Sequence, residues 1–183
     1  MDNGASSYRR FLDGDQSAFD DIMELLFHSL VFFIDRYVHD LHAAEDIAID
    51  AFSDLIVHKH RYNFKVTLKT YLFMIGRSRA IDYIRRRKAV EIVELSEAFN
   101  IADGEEGLEE IFLSNERKRV LNNAIGKLPE DMRAVVHLVC FEDMTYDQAA
   151  KVIKKSRKQV DNLLYRAKKE LRVILGKDGE LLL

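Results

Sequence analysis

Two helix start signals stand almost back to back between residues 145 and 159. Thr145 with Gln148, and Ser156 with Gln159, have the spacing of a capping box, in which each side chain satisfies an orphan backbone donor of the other. Helices that begin so close together leave room for one short helix, a tight turn and a second helix, so the segment is constrained to a helix-turn-helix. Tyr146, Ala149, Ala150 and Ile153 share one face of the first helix. Val160, Leu163, Leu164, Ala167 and Leu171 share one face of the second. These stripes are expected to pack together, with the small Ala149 and Ala150 permitting close approach. Opposite the second stripe, within "KSRKQVDNLLYRAKKELR" (155–172), lie Lys158, Asp161, Asn162, Tyr165 and Lys169, with Arg157 at the first turn and Arg166 on a flank.

The remainder of the chain reads as helical too, because strong helix formers and 3.6-residue apolar spacing recur while Gly and Pro are scarce inside the periodic segments. No strand alternation is evident. The spacing predicts helices over 16–38, 42–60 and 68–88, then over 115–127, 129–142, 145–153 and 156–175. Pro129, the only proline, suits the first turn of its helix, where a missing N–H costs nothing. Between the halves, "EAFNIADGEEGLEE" (97–110) is acidic, weakly periodic and contains Gly104 and Gly107, which predicts a linker. The expected architecture is all-α: two small helical domains, 8–90 and 115–176, joined by an acidic linker, 91–114, with the helix-turn-helix in the second. At 183 residues and 48% hydrophobic, the chain is large enough for such cores.

A net charge of -3 conceals strong segregation. From Asp13 to Asp54 the only Lys or Arg is Arg36, whereas from Lys59 to Lys88 the only acid is Asp82. Residues 91–116 are acidic again, and a second basic cluster runs from Lys151 to Arg172. Single charge runs are commonly solvated helix faces. Two dense basic clusters separated by an acidic segment point instead to two contacts with one polyanion.

On the second helix of the helix-turn-helix, Arg157 and Lys158 are suited to guanine, Asn162 to adenine and Asp161 to the cytosine amino group. Gln159, Tyr165 and Arg166 belong to the same candidate surface, while Lys154, Lys155, Lys168 and Lys169 suit phosphates, which position a protein without reading sequence. In the other basic cluster, "HKHRYNFKVTLKTYLFMIGRSRAIDYIRRRK" (58–88), cations alternate with Tyr62 and Phe64. Such interleaving serves to stack unpaired bases while tracking a backbone, although aromatic residues of this kind also serve as core. Residues 44–56, "AEDIAIDAFSDLI", differ: Ile47, Ala51 and Leu55 can face a core while Asp46, Asp50 and Asp54 form an acidic rim, the pattern of a protein-docking helix.

Taken in order, "GDQSAFDDI" (14–22), "AEDIAIDAF" (44–52), "TYLFMIGRSRAIDYIRRRK" (70–88) and the long segment from Leu128 to Arg172 resemble regions two and four of the extracytoplasmic-function (ECF) sigma factors of bacterial RNA polymerase. The resemblance implies a promoter-specificity subunit that binds core polymerase, directs initiation and assists melting. It implies docking on the beta-prime clamp through Glu45, Asp46, Ile49, Asp50, Phe52 and Ser53, and a contact with the beta flap. It implies that a loop containing Arg61, Tyr62, Asn63, Phe64 and Lys65 captures flipped bases of the minus-ten element, with Arg77, Arg79, Arg85, Arg86 and Arg87 holding the strand. The helix-turn-helix would read the minus-thirty-five element as duplex, and an anti-sigma factor is a further expected partner. The chain departs from the family pattern at Ile49 and Asp50, where Gln and Glu are usual, at Tyr71 in place of Trp, and at Ser78 in place of Asn.

Other classes find less support. His58 and His60 alternate on a helix end, and His137 with Cys140 lacks two further ligands, so no metal, cofactor or enzymatic role is expected. There is no Gly-rich phosphate loop. The longest apolar stretch, "LLFHSLVFFI" (25–34), is interrupted by His28 and Ser29 and too short to span a bilayer, which together with an unapolar opening segment predicts a cytoplasmic protein without membrane insertion. Two rivals stay open: a stand-alone helix-turn-helix regulator of duplex DNA, and a helical adaptor that uses 44–56 without DNA.

Overall fold

The computed structural model describes residues 4–94 and 116–176, and divides the chain into two compact units, Met1–Glu105 and Glu106–Leu183. Every regular element among the described residues is helical. The first unit contains α1 (Ala5–Leu12), α2 (Ser17–Val38), α3 (Leu41–Val57) and α4 (Leu68–Glu94). The second contains α5 (Glu116–Gly126), α6 (Glu130–Val136), a π-helical turn (His137–Phe141), α7 (Tyr146–Ile153) and α8 (Arg157–Leu175).

In the first unit α2 is the centre, packed against α1, α3 and α4. Its apolar stripe, Ile22, Leu26, Leu30, Phe33, Ile34 and Tyr37, is buried, and burying each such side chain contributes about 1.5–3 kcal/mol. Phe33 meets Phe73 of α4 with ring centroids 5.0 Å apart. Gly76 lets α4 approach closely: a Cβ there would lie 2.9 Å from Leu30 Cδ1 and 3.1 Å from Ile34 Cδ1. The chain reverses between α2 and α3 in two residues. His39 adopts φ 52, and Asp40 caps α3 by accepting from the Ala43 amide at 3.1 Å.

In the second unit α8 packs against α5, α6 and α7. Val160, Leu164, Ala167 and Leu171 are all buried, as are Ala149, Ala150 and Ile153 on α7. Both capping boxes form, each with the side chain and backbone bonds in both directions. Lys154, at φ 56, makes the tight turn between the two helices.

Several boundaries differ from the sequence expectation. α1 was not anticipated, because it is only eight residues long and polar on average, although Tyr8 and Phe11 share its buried face. α4 runs on to Glu94, into the segment expected to begin the linker; residues 95–114 of that expected linker lie outside the described residues. Pro129 is the cap residue of α6 rather than part of its first turn, which holds Glu130 and Asp131, the charges that a helix N-terminus favours. The helix expected over 129–142 widens after Val136: the Glu142 amide bonds the His137 carbonyl at 3.1 Å, five residues back. That turn holds His137 with its Nε2 3.2 Å from Glu142 Oε1 and its ring stacked on Phe141.

The close α2–α4 contact has a measurable consequence. Gly76→Val puts a branched side chain where a single carbon already crowds Leu30, and is expected to lower stability by about 1–3 kcal/mol, read as a lower midpoint in urea unfolding.

Candidate nucleic-acid interface

Packing of α8 leaves Arg157, Lys158, Asp161, Asn162, Tyr165, Arg166, Lys168 and Lys169 exposed along one side. Tyr165 is 72% exposed, an unusual position for an aromatic ring with no contact to bury it. Not every candidate on this side is equally available. Gln159 has its side-chain oxygen engaged by the Ser156 amide at 2.8 Å, so it serves the helix cap. Arg157 donates to Asp147 of α7 at 3.1 Å, and Lys155 lies 2.9 Å from Asp131 of α6. Exposed pairs of this kind are worth about 0–1 kcal/mol, small enough for a phosphate or base to replace the carboxylate.

In the first unit α3 has two faces, as its periodicity predicts. Ile47, Ala51 and Leu55 are buried, while Asp46, Ile49, Asp50 and Ser53 are exposed and Glu45 is half-buried. Phe52 departs from the expectation. It is 2% exposed and meets Phe19 and Phe27 at centroid distances of 6.2 and 6.0 Å, so it is core and presents no surface to a partner. Its stripe, shared with Ala48 and Leu55, already carried that signal. Ile49 (50%), Ile56 (44%) and Val57 (72%) instead give the outward face of α3 an apolar component.

Between α3 and α4 runs a loop, residues 58–67, that brings the remaining candidates together. Tyr62 is 4% exposed, donates its hydroxyl to the Val66 carbonyl at 2.7 Å and stands against Tyr8, Phe64 and Tyr71. A ring held in this way supports the loop from below and offers no stacking platform, a correction to its place among the surface residues. Phe64 is only partly buried, with φ 60, a conformation that L-residues seldom adopt. Asn63 and Lys65 are exposed, and Asn63 Oδ1 accepts from the Lys65 amide at 3.1 Å, a local turn that shapes the tip. Thr67 caps α4 by accepting from the Thr70 amide at 3.1 Å.

Several of the cations are tied to the fold. Arg79 lies 3.3 Å from Asp50 and 3.5 Å from Asp54, and Arg61 lies 3.8 Å from Asp54. His58 Nδ1 is 2.9 Å from the same Asp54 carboxylate. Asp54, expected on an open acidic rim, is thus an intramolecular hub with only 20% of its side chain exposed. Arg77 donates to the Tyr37 hydroxyl at 3.2 Å, and Arg85 pairs with Asp82 at 2.9 Å. Arg86 and Arg87 are exposed on the same helix.

The most consequential residues that sequence reasoning missed are on α1. Tyr8 is fully buried; its hydroxyl lies 3.0 Å from the Leu55 carbonyl and 2.9 Å from that of Lys59, at the open end of α3 and the start of the loop. Burial, with smaller contributions from Tyr71 and Tyr62, pushes its pKa up to about 12, so it remains a donor across the neutral range. Arg9 stands 4.9 Å from the Phe64 ring, and Lys59 reaches back to within 4.5 Å of the Phe11 ring.

The family described as "Sigma-70 region 2" matches residues 22–90, the span that holds α3, the loop and the basic part of α4; that described as "Sigma-70, region 4" matches 118–171, which holds the helix-turn-helix. The chain belongs to the sigma-70 family. It falls in the ECF class of sigma factors, which direct RNA polymerase to initiate transcription, and core polymerase and promoter DNA are its partners. It is 24% identical to the ECF RNA polymerase sigma factor SigM of Bacillus subtilis (strain 168), covering 86% of this chain and 95% of that protein. It is 26% identical to SigW of the same organism, covering 87% and 89%. In fold it is similar to the sigma factor RpoE solved in complex with the anti-sigma factor NepR from Bartonella quintana, with a TM-score of 0.70, 20% identity and coverage of 87% of this chain and 98% of that one. It is likewise similar to CnrH in complex with the cytosolic domain of CnrY, at TM-score 0.63, 20% identity and 96% of each chain. Among the described residues of this sigma factor, no helix is long and apolar enough to cross a membrane, and no cluster of side chains could hold a metal ion.

Loss of the Ser156 cap should loosen α8 without touching its exposed side. Ser156→Ala is expected to cost about 1 kcal/mol of stability, measured by chemical unfolding, with the α8 surface otherwise intact.

Proposed function

We propose that the two units of this sigma factor divide the promoter between them: residues 8–90 dock on core polymerase and open and read the minus-ten element, and residues 115–176 read the minus-thirty-five element as duplex. The single observation that carries the reading is the sorted face of α8, on which Lys158, Asp161 and Asn162 occupy the first turns while Lys168 and Lys169 follow toward the C-terminus, all exposed over a buried apolar stripe. An N-terminal half that meets base edges and a basic remainder that meets phosphates is how a recognition helix enters the major groove. An acceptor such as Asp161 has no use against phosphates, and suits the amino group of cytosine.

In the first unit the outward side of α3, with Glu45, Asp46, Ile49, Asp50 and Ser53, is the surface offered to the beta-prime clamp; Phe52 stiffens it from within. The tip of the 58–67 loop, with Arg61, Asn63, Phe64 and Lys65, is the part suited to unstacked bases. Removing a base from the stack costs a few kcal/mol, which a preformed pocket and nearby cations must offset. Arg77, Arg85, Arg86 and Arg87 line the same helix as strand-holding cations, whereas Arg79 faces the acids of α3. The second unit would also meet the beta flap, and two modules tethered to one large partner gain effective concentration for DNA. The chain works in the cytoplasm, where polymerase is, and leaves bond formation to the polymerase. The resolved complexes of similar folds with NepR and CnrY support an anti-sigma partner for this chain as well.

The test is transcription in vitro with purified core polymerase on genomic DNA fragments, with and without this protein. New promoter-dependent transcripts are expected; their absence sinks the proposal, and tight duplex binding without polymerase would favour a stand-alone regulator. Once a promoter is in hand, Asp161→Ala and Asn162→Ala should each reduce discrimination at particular upstream base pairs by about 1–3 kcal/mol. Lys169→Ala should weaken all sequences alike and reduce the salt dependence by about one counterion. Equal losses on matched and mismatched sites for the first two variants would refute the assignment.

A further inference from the structure

We infer that Tyr8 of α1 is a positioning residue for the loop at 58–67, and that α1 through it sets how firmly the first unit holds opened promoter DNA. The inference rests on the proposed role of that loop in base capture. The loop carries restraints of its own, the Arg61 amide on the His58 carbonyl at 2.9 Å, a local turn at Asn63, the Tyr62 hydroxyl on Val66 and the cap at Thr67, and Asp54 holds His58 and Arg61 from α3. Its first half is fastened from outside. The Tyr8 hydroxyl lies between the Leu55 and Lys59 carbonyls, bridging the last turn of α3 to the start of the loop. The ring of Tyr8 meets Tyr62 edge-on at 5.5 Å and stands 6.2 Å from Phe64, so the same side chain also fixes the floor beneath the exposed tip. Arg9, one residue on, covers Phe64 from the solvent side. Phe64 keeps a left-handed backbone in a place where a free loop would relax from it, which requires neighbours that over-determine the conformation.

A buried tyrosine with these contacts could serve stability alone. The two roles differ in what a small change does. Tyr8→Phe keeps the ring and its burial and removes only the bridge between α3 and the loop. If the bridge positions the loop, the loss falls on holding melted DNA; if it only stabilises the fold, the loss falls on the unfolding midpoint and leaves DNA opening untouched.

The experiment uses full-length protein with core polymerase on a promoter fragment recovered by the transcription assay. Open complex is read by permanganate reactivity of thymines, alongside core binding by competition and retention of duplex carrying only the upstream element. Tyr8→Phe is expected to reduce open complex about five- to tenfold, the worth of one buried hydrogen bond, with core binding and upstream retention unchanged. Arg9→Ala, an exposed substitution that does not threaten folding, should reduce it about two- to fivefold. Combining Tyr8→Phe with Asn63→Ala should be no worse than Asn63→Ala alone, because both act through one loop. Full open-complex formation by Tyr8→Phe, or effects that simply multiply, would overturn the inference. If Asn63→Ala and Lys65→Ala are themselves without effect on opening, the base-capture reading of the loop fails first and the positioning role falls with it.

Discussion

Burial of Val160, Leu164, Ala167 and Leu171 against α5, α6 and α7 is the constraint on which the second unit depends. A helix has only one rotational setting in which that stripe is dry, and every exposed side chain of α8 takes its direction from it. Charge alone would not do this. Basic residues occur all along the helix, and only the buried stripe decides which side of it they share. The paired capping boxes hold the helix starts in place, and the left-handed Lys154 between them keeps the turn short.

The first unit solves a different problem, because one helix must serve two neighbours. α3 turns Ile47, Ala48, Ala51, Phe52 and Leu55 inward and its acids and Ile49 outward. Its C-terminal end then meets two sets of restraints, one polar and one aromatic. Asp54 gathers His58, Arg61 and Arg79, so that loop and α4 are drawn to the same carboxylate. Tyr8 takes the far carbonyls, and its ring forms the floor shared with Tyr62 and Phe64. The outward face of α3, proposed for polymerase docking, and the 58–67 loop, proposed for strand capture, are therefore parts of one continuous packing arrangement.

Much of this was legible in the sequence, and the reason is range. Helix periods, caps and the Pro129 start are written within three or four residues, so the expected helices over 16–38, 42–60, 145–153 and 156–175, and the start of that over 68–88, lie close to those observed. The buried and exposed sides of α8 followed from the same short period. Where the expectation missed, a local signal was weak or was overridden. α1 is short and polar. The π-helical turn at His137–Phe141 depends on how His137 and Glu142 meet, which an α-helical period does not reveal. Phe52 stands in the docking surface through resemblance, and Tyr62 is open between stacking and core from its cation-rich neighbours; packing takes both into the core.

The sequence by itself determined that this chain is helical, where most helices begin, that it carries a helix-turn-helix, and which side of α8 is exposed, because each of these is encoded over one or two turns. The tertiary structure alone decided what the aromatic and ionic residues around the 58–67 loop do. Tyr8 meets Leu55 and Lys59 across 47 and 51 positions of chain, and Arg79 meets Asp50 across 29. No periodicity spans such distances; only the packing of α1, α3 and α4 around α2 brings those residues together, and it is that packing which turns Tyr8 from an unremarked residue near the start of the chain into the support of the loop.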